Sequence, residues 1–209
     1  MLRLPEFHLL QPQSLSEALA LLAADPQNTS ILAGGTDLLP NMKRRQQTPK
    51  RLISLRHLDE LKKITVTEDE IVLGGSARLR DIEDHPQLAH EARALTQAVS
   101  QIATVHIRGS ATIGGNLCLD TRCDYYNQSE PWRQAIGYCK KKDGDICWVA
   151  TSSPRCLAVS STDAAPALMA LGARVQLCSS NDDRELLLVD LYHNDGISYL
   201  TKRPDELLT

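Results

Sequence analysis

The run Ser14-Leu-Ser-Glu-Ala-Leu-Ala-Leu-Leu-Ala-Ala reads as a helix: Leu and Ala dominate it, Ser14 and Glu17 are spaced as a capping box, and Asp25-Pro26 ends it. The next apolar stretch, Thr29 to Ala33, is short and meets Gly34-Gly35, the pattern of a strand entering a tight loop. Arg51 to Leu55 predicts a second strand. Ile64 to Thr67 and Ile71 to Leu73, parted by Glu68-Asp69-Glu70, predict a hairpin that stops at Gly74-Gly75. Around Leu79 to Glu83 and Glu91 to Ile102, apolar residues recur at three- and four-residue spacing, which predicts helices. From Val105 to Leu117, β-branched residues alternate with small ones and glycines interrupt the run, so helix is not expected there. Further on, Asp163 is placed to cap a helix with Pro166 in its first turn and Gly172 as its stop, followed by a strand from Arg174 to Cys178. Together these elements predict an α+β fold, divided into an N-terminal subdomain over residues 1–56 and a second subdomain over 57–209.

Composition narrows the function classes. Of 209 residues, 42% are hydrophobic and 23% charged, which is ordinary globular usage, and the formal charge of −3 gives no positive field for a polyanion. No run approaches the roughly 18 apolar residues of a membrane span, and no export signal opens the chain, so a cytoplasmic protein is expected. The histidines form no H-E-x-x-H and no serine sits in a G-x-S-x-G elbow, leaving hydrolysis without support.

Cysteine usage is uneven. All six cysteines lie between Cys118 and Cys178, and both tryptophans and three of the five tyrosines share the same stretch. In a chain without an export signal, such clustering points to metal ligation or redox chemistry before disulfides. Cys123, Cys139, Cys147 and Cys156 are separated by 15, 7 and 8 residues, which matches neither paired C-x-x-C knuckles nor a bacterial ferredoxin run. Four soft thiolates suit a cubane iron–sulfur cluster first, with Zn²⁺ or unligated thiols as the alternatives.

Two loops are built to approach an anion: Ala33-Gly34-Gly35-Thr36-Asp37 and Gly109-Ser-Ala-Thr112-Ile-Gly-Gly115-Asn116. Without Cβ atoms, paired glycines let backbone N–H groups converge on a phosphate, and Thr and Asn add donors. Neither is a P-loop, since Gly115 and Asn116 stand where the lysine and hydroxyl residue belong, and no G-x-G-x-x-G occurs. Three strings in order, Ile31-Leu-Ala-Gly-Gly-Thr-Asp-Leu-Leu-Pro, Arg108-Gly-Ser-Ala-Thr-Ile-Gly-Gly-Asn-Leu and Ser161-Thr-Asp-Ala-Ala-Pro-Ala-Leu-Met-Ala-Leu-Gly-Ala, resemble the FAD-binding medium subunit of the molybdenum hydroxylase (xanthine dehydrogenase) family. The resemblance implies an FAD-binding fold of the vanillyl-alcohol oxidase type, two α/β subdomains with FAD between them. It places Leu32, Ala33, Gly34, Gly35, Thr36, Asp37, Leu38 and Leu39 around the pyrophosphate, Thr112, Gly115 and Asn116 on the cofactor, and Asp163 toward its ribityl or ribose hydroxyls. No catalytic residue is implied in this chain.

Ordinary members of that family run from the Gly-Gly-Asn-Leu loop almost directly into the Ser-Asp-Ala-Pro helix start, whereas here a cysteine-rich insert at about 119–158 intervenes. An insert with four cysteines at this place is similar to that of 4-hydroxybenzoyl-CoA reductase β subunits. The similarity implies a [4Fe–4S] cluster on Cys123, Cys139, Cys147 and Cys156, with Cys118 and Cys178 as non-ligands. It also implies electron flow from ferredoxin through that cluster and FAD to [2Fe–2S] clusters on a small subunit and molybdenum on a large one, where a phenolic hydroxyl is removed reductively. Lys140-Lys141-Lys142 would then be a surface for steering an acidic ferredoxin. The alternatives are a xanthine- or carbon-monoxide-dehydrogenase-like hydroxylase subunit and, from another class, a non-catalytic zinc-stapled scaffold module. Arg203-Pro-Asp-Glu-Leu-Leu resembles the lead into the family's smaller C-terminal domain, which is expected to be absent, so flavin contacts from it are unassigned.

Overall fold

The computed structural model describes residues 2–209. Strands β1 (His8–Leu10), β2 (Thr29–Leu32) and β3 (Arg51–Ser54) form a parallel sheet in the order β1-β3-β2, with His8 and Thr29 both opposite Arg51. Parallel neighbours need crossovers. Helix α1 (Leu15–Ala24) supplies the first, its Ser14 side chain accepting from Glu17 N–H at 3.2 Å while Glu17 Oε2 accepts from Gln13 N–H at 2.7 Å. Helix α2 (Leu38–Lys43) follows the first glycine loop and supplies the second. The apolar face of α1, Ala18, Leu19 and Leu22, is buried against Ile53, Leu55, Leu58 and Leu61 in a small core.

A 3-10 turn (Asp59–Lys62) leads to the hairpin β4 (Ile64–Val66) and β5 (Ile71–Leu73). Helices α3 (Leu79–Glu83), α4 (Leu88–Glu91) and α5 (Arg93–Ser100) then bury Leu79, Ile82, Leu88, Leu95 and Val99 in a second, larger core.

Where helix was not expected, the chain forms two single turns, α6 (Val105–Arg108) and α7 (Ile113–Leu117). This corrects the reading from composition, and the reason is local capping under tertiary restraint. Thr104 and Thr112 accept from Ile107 N–H and Gly115 N–H, satisfying donors that so short a helix leaves orphaned. Buried Arg108 locks α6 by donating twice to Glu83, at 2.8 and 3.1 Å, and to Ile102 O at 2.8 Å. The α7 backbone hangs on Ala77 O and Gly75 O, each 2.9 Å from Ile113 N and Gly114 N.

The cysteine-rich stretch contains α8 (Glu130–Ala135). It leaves and rejoins the fold at one place, where Arg122 and Val159 exchange both backbone hydrogen bonds, 2.7 and 3.0 Å. Helix α9 (Ala164–Ala170) ends in a Schellman turn, with Gly172 N–H on Met169 O, Ala173 N–H on Leu168 O, and Gly172 at φ +71°. Last comes an antiparallel sheet ordered β7-β6-β8, from β6 (Arg174–Cys178), β7 (Asp183–Leu187) and β8 (Leu207–Leu208).

Because successive strand residues face opposite ways, this last sheet is a wall shared by both cores. Leu177 and Leu208 pack into the larger one, Cys178 and Leu207 into the smaller. No helix among the described residues is long and apolar enough to cross a membrane.

Candidate functional site

The two glycine loops meet. A Cβ on Gly34 would lie 2.8 Å from the Ser110 carbonyl carbon and 2.9 Å from Ala111 Cα, so the backbones touch where no side chain fits. Beside this contact opens a cleft of about 520 Å³, within the size range of small-molecule and cofactor sites. Ala33, Gly34, Gly35, Thr36, Asp37 and Leu38 line it from the first loop, and Thr112, Gly114, Gly115 and Asn116 from the second, with Asp163 beside them. Leu32 and Leu39 do not line it. Their side chains pack behind the loop, 3.0 and 3.2 Å from where a Gly35 Cβ would stand, and so support its shape from the rear.

Several polar groups at the cleft have structural duties. Buried Asn116 accepts through Oδ1 from Thr162 Oγ1 at 2.7 Å and from Ala164 N–H at 3.1 Å. Asn116 thereby caps α9, a task expected of Asp163. Asp163 holds the cap position but makes no capping bond, leaving its carboxylate at the cleft. Asp37 accepts from Asn41 Nδ2 at 3.0 Å and is paired with Arg122, tying the first loop to the neck of the cysteine-rich stretch.

Sequence reasoning missed Gly75, Asp120, Tyr199 and Lys202, which also line the cleft. Gly74-Gly75 had been legible only as a hairpin end. Lys202 donates to Glu206 O at 2.8 Å and Arg203 O at 3.1 Å, and burial pulls its ammonium below the usual lysine range. Burial likewise pushes the Cys118 thiol and the Tyr199 hydroxyl upward, so both are neutral at physiological pH. Cys118 lines the cleft, whereas Cys178 is buried in the shared sheet with Sγ 3.3 Å from Thr209 Oγ1.

Cys123, Cys139, Cys147 and Cys156 line a second, small cavity together with Tyr126, Lys141 and Trp148. All six cysteines are free thiols. Burial opposes ionisation of Cys147, yet the backbone amides of Ala150, Leu157 and Val149 outweigh it and hold that thiol below its ordinary value. Burial raises Cys156, with Ala158 N–H 3.5 Å from its sulfur as a partial offset. Among the described residues, no group of three or more His, Cys, Asp or Glu side chains is arranged to hold a single metal ion.

The lysine triplet is not a uniform surface. Lys141 points inward to Asp120, both side chains under one-tenth exposed. Lys140 and Lys142 are half-buried. The expected three-lysine docking patch is therefore reduced to two residues.

The profile described as "FAD binding domain in molybdopterin dehydrogenase" matches residues 5–209. Among curated proteins, the chain is 38% identical over 113 residues to the nicotinate dehydrogenase FAD-subunit of Eubacterium barkeri, covering 54% of this chain and 38% of that protein. It is 32% identical over 184 residues to the aldehyde oxidoreductase FAD-binding subunit PaoB of Escherichia coli K12, covering 85% and 58%. Among solved structures, reconstituted CO dehydrogenase from Oligotropha carboxidovorans superposes with a TM-score of 0.76 at 25% identity, over 99% of this chain and 58% of that one. Quinoline 2-oxidoreductase from Pseudomonas putida 86, at 22% identity and a TM-score of 0.74 over the same shares, has the same fold. The chain thus spans about two-fifths to three-fifths of the length of these relatives.

Proposed function

Because the chain belongs to the family of FAD-binding domains in molybdopterin dehydrogenases, we propose that it is the flavin-holding, electron-transferring part of a molybdenum-dependent dehydrogenase of the xanthine and carbon monoxide dehydrogenase kind. It would work beside a large molybdenum subunit and a small [2Fe–2S] subunit. The observation that carries this reading is the convergence of two glycine loops from different parts of the chain on one cleft. Bound FAD supplies the electron-carrying chemistry there. The chain's part is to hold and orient it. Backbone N–H groups of residues 33–38 would hold the anionic pyrophosphate, and the Thr112 hydroxyl and Asn116 Nδ2 would donate to the cofactor. The Asp163 carboxylate, free of capping, would accept from sugar hydroxyls. Substrate chemistry belongs to the molybdenum subunit, so no acid or base of this chain is required. The visible spectrum of the purified protein should show flavin bands, and Gly35→Asp, which at a φ of +70° drives a charged side chain against Leu32 and Leu39 and so breaks the loop's shape, should abolish them. Flavin retained by that variant would reject the site.

A finer reading rests on the cysteine cavity: this subunit also carries a [4Fe–4S] cluster, as in 4-hydroxybenzoyl-CoA reductase, taking electrons from a ferredoxin. Four free thiols around one cavity, with the Ala158 amide on the Cys156 sulfur, suit a group that takes one thiolate per iron. A zinc staple needs all four sulfurs around one ion, and they are not so arranged. Iron, sulfide and zinc analysis of anaerobically purified protein separates the two, zinc without sulfide refuting the cluster. In that reading the vanillyl-alcohol oxidase-type fold divides at residue 56, with 119–158 as the inserted cluster module.

A further inference from the structure

Asp120 and Lys141 form a buried ion pair between the two cavities. Lys141 Nζ donates to Asp120 Oδ1 at 2.8 Å and to Thr121 Oγ1 and Gly196 O, both at 2.6 Å, so all three of its protons are used. Its charge lies 4.8 Å from the Tyr126 ring centre and 5.5 Å from that of Tyr199, within cation–π range. The other carboxylate oxygen, Oδ2, accepts from Tyr126 OH at 3.0 Å and from Gln47 Nε2 at 3.1 Å. The network is complete on both sides. Yet taking two charges out of water is costly, and apolar side chains of similar size often stabilise a fold as well as a buried ion pair does. What charges add here is a direction: Asp120 lines the flavin cleft, and Lys141 lines the cysteine cavity.

We propose that the Asp120–Lys141 pair is an oriented dipole that sets how electrons divide between the group held by the cysteine cavity and the flavin held by the cleft, holding them on the cysteine side. The proposal rests on the cluster-and-flavin reading above. The ammonium favours added negative charge in the cavity it lines, and the carboxylate disfavours added negative charge in the cleft. Among buried groups, at an effective dielectric of about 20, such fields are screened far less than in water. An electron given up by the cavity's group and gained by the flavin moves away from the cation and toward the anion, so the pair reduces the drive of that transfer. Lys140, which also lines the cavity, is half-exposed, and solvent screens it more strongly.

The test is a redox titration of both centres in the assembled holoenzyme, comparing wild type with Lys141→Met, Lys141→Arg and Asp120→Asn. Lys141→Met should lower the potential of the cysteine-held centre, and Asp120→Asn should raise that of the flavin. Each should move the equilibrium electron ratio toward flavin by about tenfold or more. Lys141→Arg, which keeps the charge, should stay near wild type. Asp120→Asn with Lys141→Met leaves no unpaired buried charge, which keeps a foldable variant available, and should shift the ratio furthest. Packing damage alone would not move the two potentials in opposite directions. A wild-type protein with both centres whose ratio is unchanged in the folded variants overturns the proposal alone. A wild-type protein with flavin but no iron or sulfide overturns the cluster reading and this proposal with it.

Discussion

Replacing Gly34 by Ala tests the cleft at its tightest point. The added methyl would overlap the Ser110 carbonyl oxygen and stand 2.8 Å from its carbon and 2.9 Å from Ala111 Cα. Carbon atoms prefer about 3.5–4.0 Å from one another and only a little less from oxygen, so the loops must part by roughly 1 Å or more. Both neighbours are backbone, which cannot rotate aside, and overpacking of this sort costs about 1–3 kcal/mol. Because a flavin bridging both loops requires them at their present spacing, most of that strain falls on the bound state. At about 1.4 kcal/mol per tenfold, FAD affinity should drop by roughly 5- to 150-fold. Fluorescence titration of deflavinated protein with FAD measures this directly. Gly172→Ala is the control: its φ of +71° makes a side chain costly, by about 1–2 kcal/mol, but nothing lies within 4 Å of the new methyl. That variant should melt earlier and bind FAD normally. Wild-type FAD affinity in Gly34→Ala, or equal losses in both variants, would refute the reasoning.

Asn116→Ala removes the acceptor shared by Thr162 and the first amide of α9, so a loss of about 1–3 kcal/mol in denaturant melts is expected, together with weakened flavin binding. Cys139→Ser should lose iron and sulfide while Cys178→Ser, altered in the shared sheet, keeps both, as metal analysis would show. Glu206 is fully buried, and although burial opposes its ionisation, hydrogen bonds from Arg184 and the Arg203 amide hold its carboxyl below the ordinary value of 4.5. A lowered folded value means its contribution is complete above the unfolded value and is lost as pH falls through the folded one. Glu206→Gln should therefore be less stable near neutrality by about 1–2 kcal/mol, with a shallower acid limb in melts against pH.

What the sequence made legible was whatever is enforced locally. Ser14, Glu17 and Asp25 delimit α1 without help from distant residues, and the paired glycines announce close backbone approach wherever they fall. The clustering of cysteines is visible in the letters, whereas the cavity that four of them share is not. Helices α6 and α7 escaped because glycine and β-branched residues carry poor helix propensity, while the threonines at 104 and 112, placed as caps, were the overlooked signal. Strand β7, Asp183–Leu187, reads as polar surface and is a strand through its pairing with β6. Tyr199 and Lys202 reach the cleft from far along the chain, and the inward turn of Lys141 follows from Asp120 awaiting it, so neither is visible in a run of letters.

The neck at Arg122 and Val159 bears on how such a protein can vary. Two residues that exchange both backbone hydrogen bonds sit only about 5.5 Å apart at their Cα atoms, a gap that a short turn can bridge. The stretch between them begins and ends at one point of the main chain, while Gln46, Arg44, Asp120 and Gly196 anchor its body to the rest of the fold. Lengthening or shortening the intervening stretch changes loop entropy only logarithmically, about 0.6 kcal/mol per doubling, and leaves the entry and exit points where they are. A scaffold with such a gateway can vary the length of the stretch it carries there while the backbone on either side keeps its path.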